Sequence, residues 1–222
     1  NGVGAVWVFT RSGGVWSQQG NKLVGTGWTG NSAQGFSVSI SADGSMIIEG
    51  AERDNGTTGA AWIFVQNGGG WNQQGSKLVG TGAFGAPYQG HSVTMSADGT
   101  TAMVGGYVDN SAAGAAWVYT RSDSVWTQQG SKLVGTGAVS PSRQGVGVSL
   151  SADGNRAIVG GYVDNFNVGA AWIFTRSGGI WSQQGSKLIG TGAVGNAVQG
   201  VSVAISADGK TAMSGGYFDK ND

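Results

Sequence analysis

Large apolar residues alternate with small or polar ones along His91-Ser92-Val93-Thr94-Met95, the period-2 pattern of a half-buried strand. The same alternation recurs in Phe36–Ile40, Val146–Leu150 and Val201–Ile205. Each segment leads into an Asp-Gly pair (Asp43-Gly44, Asp98-Gly99, Asp153-Gly154, Asp208-Gly209). Type I′ hairpins favour that pair because both central residues take positive φ. A second strand follows, as in Ala102–Gly106 and Ala157–Gly161, closing on two glycines that permit a close approach or a bulge. The connector Tyr107–Gly114 then leads to a third strand, Ala115–Thr120. Arg121–Ser124 turns the chain into a fourth, around Trp126–Val134. The last connector, 135–145, is long and varies most between copies.

This unit returns at a fixed interval. Trp7, Trp62, Trp117 and Trp172 are 55 residues apart, and Trp16, Trp71, Trp126 and Trp181 keep the same spacing. A period of that length marks a solenoid, propeller or array, whose copies bury their apolar faces only against neighbours. Four short antiparallel strands per unit predict an all-β chain built as a β-propeller of four-stranded blades, because sandwiches do not repeat at this length. The reading is a single domain, 1–222. Its repeats are 35–89, 90–144 and 145–199, with 1–34 and 200–222 pairing to close one further blade. Such a clasp removes open sheet edges. A closed four-blade ring, a two-chain eight-blade ring (a homo-oligomer) and a segment of a longer array all fit four repeats.

Composition narrows the function classes. Glycine supplies 44 residues and proline 2, but nine tryptophans, eight of them in regular register, read as a packed fold rather than low complexity. Charged residues make up 11% and the formal net charge is zero, so the basic footprint of a nucleic-acid binder is missing. There is no cysteine, which excludes disulfides, thiolate metal sites and a thiol nucleophile. No apolar run is long enough for membrane insertion. A start at Asn1 suits a trimmed product, and the low-charge surface rich in Ser, Thr, Asn, Gln and Gly predicts an extracellular or cell-surface location.

Four stretches carry a family resemblance: Trp181-Ser-Gln-Gln-Gly-Ser-Lys187-Leu188, Gln199-Gly200-Val-Ser-Val203-Ala-Ile-Ser-Ala-Asp208-Gly209, Thr211-Ala-Met-Ser-Gly215-Gly216 and Gly169-Ala-Ala-Trp172-Ile-Phe174. They resemble the bacterial FG-GAP repeats, related to the amino-terminal propeller of integrin α chains, and the match extends over all four copies. The chain departs from that pattern in two places. Gln-Gly replaces Phe-Gly at Gln34, Gln89, Gln144 and Gln199, and Gly-Gly-Tyr replaces Gly-Ala-Pro in three copies. Integrin-type calcium loops need several oxygen ligands at alternate positions, whereas Ser-Ala-Asp-Gly offers one carboxylate. No metal or other cofactor is therefore expected, and Asp43, Asp98, Asp153 and Asp208 read as turn residues.

The resemblance implies that the connectors after the second and fourth strands share one rim, the one integrins use for ligands. Tyr107, Tyr162 and Tyr217 recur there with Asp109, Asp164 and Asp219 two residues on, and the first copy has Glu52 and Asp54. An aromatic platform beside a carboxylate suits sugar hydroxyls; the competing reading is a tyrosine plugging the ring centre and an aspartate capping its turn. Trp28, where other copies have Ala83, Ala138 and Ala193, is read as an exposed indole or a local packing substitute. His91 reads as an inner-strand variant, Glu49 as a buried acid or a rim residue, and Lys22, Lys77, Lys132 and Lys187 as solvated. One histidine and no cysteine make no catalytic set. The expected function is a non-enzymatic, multivalent binding or adhesion module for a glycan or a cell-surface protein. The alternative is a structural surface or filament component that self-assembles through its blades.

Overall fold

The computed structural model describes residues 2–139 and 141–220. It is all-β. Three four-stranded antiparallel sheets are flanked by two sheets of two strands. In chain order β1 (Phe9–Ser12) and β2 (Val15–Gln18) form the first pair. The first full sheet holds β3 (Ser37–Ile40), β4 (Met46–Ala51), β5 (Ala60–Asn67) and β6 (Gly70–Gln73). The second holds β7 (Ser92–Met95), β8 (Thr101–Gly106), β9 (Ala115–Ser122) and β10 (Val125–Gln128), and the third β11 (Gly147–Leu150), β12 (Arg156–Gly161), β13 (Ala170–Ser177) and β14 (Ile180–Gln183). β15 (Ser202–Ile205) and β16 (Ala212–Gly215) end the series. Each full sheet runs in sequence order with one register: Glu49 faces Trp62, Val104 faces Trp117 and Val159 faces Trp172. The first strands β3, β7, β11 and β15 lie side by side, so the sheets stack in a row.

Three apolar clusters fill the spaces between sheets. In the central one Met46, Ile48, Ile63 and Leu78 of one sheet meet Val93, Met95, Val104, Trp117 and Tyr119 of the next. The following cluster repeats it 55 residues on, with Met103, Val118 and Leu133 against Val148, Leu150, Val159, Trp172 and Phe174. Trp62, Trp117 and Trp172 are fully buried, and each indole N–H donates to a threonine carbonyl of the preceding repeat, Thr26, Thr81 or Thr136. These three tryptophans are thus the core between sheets that their spacing predicts, Trp71, Trp126 and Trp181 pack against it partly buried, and Trp7 and Trp16 of the first copy are exposed.

Three local expectations are corrected. The Asp-Gly turns are not type I′: at Ser41–Gly44 only Gly44 takes positive φ, and the Gly44 amide donates to the Ser41 carbonyl. Asp43 instead accepts from the hydroxyls of Ser41 and Ser45 and from the Ser45 amide, which pins a loop one step longer than a two-residue hairpin. The fourth strand stops at Gln128, because the Gln128 side chain bonds back to the Gly130 carbonyl and bends the chain; Leu133 returns to the sheet as a single bridge to Ala116. Finally, β1–β2 and β15–β16 stay separate sheets, so the clasp between the chain's two ends is not made and, among the described residues, no ring closes.

Candidate functional site

The connectors after the second and fourth strands do lie together, held by backbone hydrogen bonds. The amides of Tyr88 and Gln89 donate to Thr57 and Thr58 of the sheet before, while the Phe84 carbonyl accepts from Asn110 of the sheet after. Threading between two neighbours forces the residue before each Gln-Gly into the left-handed region: Ala33 (φ 59°), Tyr88 (57°), Arg143 (56°) and Val198 (52°). Side chains rarely accept that conformation, at a cost of about 1–2 kcal/mol per residue, so the surrounding bonds must impose it.

From this position Tyr88 and Arg143 meet the residue just past β8 or β12, and His91, just before β7, joins them. His91 stacks obliquely on Tyr107 (centroids 4.3 Å apart) and on Phe36 (5.0 Å), and Tyr88 lies 5.6 Å from Tyr107. The Nδ1 of His91 is 2.7 Å from Oε2 of Glu52, which also faces Arg53 at 3.6 Å. The Arg143 guanidinium sits over both Tyr107 (5.7 Å) and Tyr162 (5.4 Å) and donates to the Tyr162 hydroxyl. Burial, seconded by the Glu52 charge, raises the Tyr107 phenol above its usual value, so it stays a neutral donor. Three successive sheets therefore contribute to one patch of half-buried aromatic faces and a half-buried guanidinium around the buried Glu52 carboxylate.

Of the residues expected from sequence, Glu52, Tyr107 and Tyr162 come together here. Asp54, Asp109 and Asp164 do not, and their proposed part in a ligand rim is corrected. All three are fully buried, accepting from the amides of Thr29, Phe84 and Val139 and pairing with Lys77, Lys132 and Lys187. Three of the four lysines read as solvated are thus the partners of buried carboxylates, while Lys22 is exposed. Asp219 accepts from the Val194 amide in the same way but stays exposed. Tyr217 stacks on Phe218 (4.8 Å), apart from the patch, and Trp28 is exposed on its connector. Sequence reasoning passed over Tyr88, His91 and Arg143. The available signal was variation between copies: Ala33/Tyr88/Arg143/Val198, Phe36/His91/Val146/Val201 and Glu52/Tyr107/Tyr162/Tyr217 differ on an otherwise uniform scaffold.

The Gln-Gly departure also has a physical reason. Each glutamine amide clamps one glycine backbone, as Gln89 does by accepting from the Gly80 amide and donating to its carbonyl (2.5 and 3.0 Å); Gln34 holds Gly25, Gln144 holds Gly135 and Gln199 holds Gly190. No group of three or more His, Asp or Glu that could hold a metal occurs among the described residues, and no helix there is long and apolar enough to cross a membrane.

No protein-family model and no curated protein matches the chain. Solved structures do. A putative 6-phosphogluconolactonase from Bacteroides uniformis ATCC 8492 superposes over 95% of this chain and 57% of its own, with a TM-score of 0.59 and 16% identity. A functionally unknown protein from Desulfotomaculum acetoxidans DSM 771 superposes over 96% of this chain and 56% of its own, with a TM-score of 0.63 and 13% identity. At such identity the likeness is one of fold, and the chain spans a little over half the length of each neighbour.

Proposed function

We propose that this chain forms part of a β-propeller of the FG-GAP kind, displayed outside the cell, that binds a glycan at the patch of Glu52, His91, Tyr107, Arg143 and Tyr162. The observation carrying this reading is the convergence of aromatic faces, a carboxylate and a guanidinium from three sheets. Half-exposed rings offer flat apolar faces to a pyranose, and the charged groups around them accept from and donate to its hydroxyls. The uniform interior and variable mouth support binding over catalysis, as a rigid scaffold carrying interchangeable contact residues.

A glycan array probed with the wild-type chain and with Tyr107→Ala and Tyr162→Ala tests it. Binding to a glycan that falls roughly tenfold in each variant is expected, since an aromatic contact contributes about 1 kcal/mol or more. Binding that ignores both substitutions would sink the assignment. The same samples should be assayed with 6-phosphogluconolactone, because one structural neighbour carries that enzyme name. Turnover abolished by His91→Ala would replace the binding reading with an enzymatic one. A second reading, a component that assembles through its sheets, draws on the uncovered apolar faces at the two ends.

A further inference from the structure

The indole, glutamine and lysine contacts between sheets recur at the 55-residue interval, so the residues at each open end can be compared with their covered counterparts. Leu188 is 47% exposed, whereas Leu133 and Leu78, one and two repeats earlier, are 8% and 7% exposed. Around it lies a recess of about 430 Å³ lined by Ile158, Leu188, Gly190, Gln199 and Met213. In the interior the matching space is filled by an indole: a Cβ built on Gly80 or Gly135 would fall 2.2 or 2.1 Å from Cδ1 of Trp117 or Trp172. On Gly190 the nearest atom is instead the Gln199 side-chain oxygen, at 3.1 Å. The recess is a tryptophan site without its tryptophan.

The other end holds what that site calls for. Trp7, the counterpart of the fully buried Trp62, Trp117 and Trp172, is 52% exposed. Beside it Val38 and Ile40 are uncovered, while Val93, Met95, Val148 and Leu150 at the same positions are buried by the sheet before them. We propose that two copies of this chain join head to tail, β1–β2 of one adding to β15–β16 of the other to complete a four-stranded sheet. This rests on the fold and not on the glycan reading.

The interior contacts specify the joint atom by atom. The Trp7 indole enters the recess and its N–H donates to the Thr191 carbonyl, as Trp62, Trp117 and Trp172 donate to Thr26, Thr81 and Thr136. Gln18 accepts from the Thr191 amide, as Gln73, Gln128 and Gln183 accept from those same threonines. Trp16 donates to Gln184, repeating Trp71 to Gln19, Trp126 to Gln74 and Trp181 to Gln129. Lys22 pairs with Asp219, repeating the pairs made by Lys77, Lys132 and Lys187. Met213 then covers Val38 and Ile40. Because the two surfaces differ, the contact is heterologous and yields a ring if the rotation closes, and a chain of copies if it does not.

Sedimentation velocity across a concentration series tests this with variants that spare the interior. Wild type should associate. Trp7→Ala and Gly190→Ala should each weaken association at least about thirtyfold, as expected for an indole anchored in a pocket. Mixed in equal amounts at a concentration where each alone is a monomer, the two variants should form dimers and nothing larger, since each retains the surface the other has lost. Lys22→Glu, an exposed change that cannot unfold the core, should weaken association, and adding Asp219→Lys on the same chain should restore it. A wild type that stays monomeric at every concentration overturns the proposal. So does association that survives Trp7→Ala or Gly190→Ala, or a mixture that stays monomeric.

Discussion

Glu49 stands where Val104 and Val159 stand in the next two copies, fully buried, with no hydrogen bond reaching either carboxyl oxygen. Burial pushes its pKa up to about 8, and the amides of Gly35 and Gly25 only moderate the effect. An acid whose pKa is raised on folding contributes stability that is fully present below its unfolded value of 4.5 and is lost as the pH climbs toward 8. At neutral pH the loss amounts to roughly 3 kcal/mol. Glu49→Val should therefore stabilise the chain at pH 7 by up to that amount and flatten its stability between pH 4.5 and 8, as read by urea unfolding at several pH values. The turn aspartates act in another window. Hydrogen bonds from neighbouring hydroxyls and amides hold Asp43 at about 2 and lower Asp153 and Asp208, so what they contribute is lost only as the pH falls below about 4. The sequence marked Glu49 as an anomaly among valines but left its setting open, because burial of a strand residue depends on the neighbouring sheet. The same limit explains Asp54, Asp109 and Asp164: their spacing is visible, but the lysine that neutralises each lies 23 positions away on the chain.

The strands were legible because period-2 alternation and turn residues are local properties, and the four strands of each full sheet begin close to where those signals place them. What escaped were features governed by side chain to backbone bonds: the lengthened Asp-Gly turn, the fourth strand cut short at Gln128, and the left-handed backbone at Tyr88 and Arg143. The glutamine clamp belongs to this class, since nothing in a Gln-Gly pair says which carbonyl the amide will find. It closes one connector on itself across nine residues and holds Gly80 against Trp117. Gln89→Leu would leave two buried backbone groups without partners, at about 1–3 kcal/mol each. Gly80→Ala would drive a methyl into the indole, an overpacking that costs about 1–3 kcal/mol. Both should lower the urea midpoint clearly, while Gly190→Ala, whose recess holds no indole, should leave the midpoint of the dilute chain close to wild type. Equal losses for Gly80→Ala and Gly190→Ala would show that the two sites are not the filled and empty forms of one pocket.

Each sheet draws its stability from two faces, and only the middle full sheet, β7–β10, has both covered by full sheets: Val38 and Ile40 of the first and Leu188 beside the third remain open. β1–β2 and β15–β16 each rest on one neighbour, and the exposed Phe9, Met213 and Tyr217 mark the sides left open. The repeat made the three full sheets legible but not closure, because the rotation from one sheet to the next is set by the packing of Trp117 and its counterparts, not by the interval between them. In a row of this kind the free energy of opening is close to a sum of unit and neighbour terms, so it rises from the ends toward the middle. Native-state hydrogen exchange on the dilute chain should find the slowest amides in β8 and β9, which lie in the sheet flanked on both sides, and the fastest in β1–β2 and β15–β16. Raising the concentration gives the end sheets a second neighbour if copies join. Their protection should then climb toward that of the interior, while β8 and β9 change little, since their neighbours are already in place. Uniform protection along the chain would mean that the sheets open as one unit, and protection of the ends that ignores concentration would mean that the outer faces find no partner.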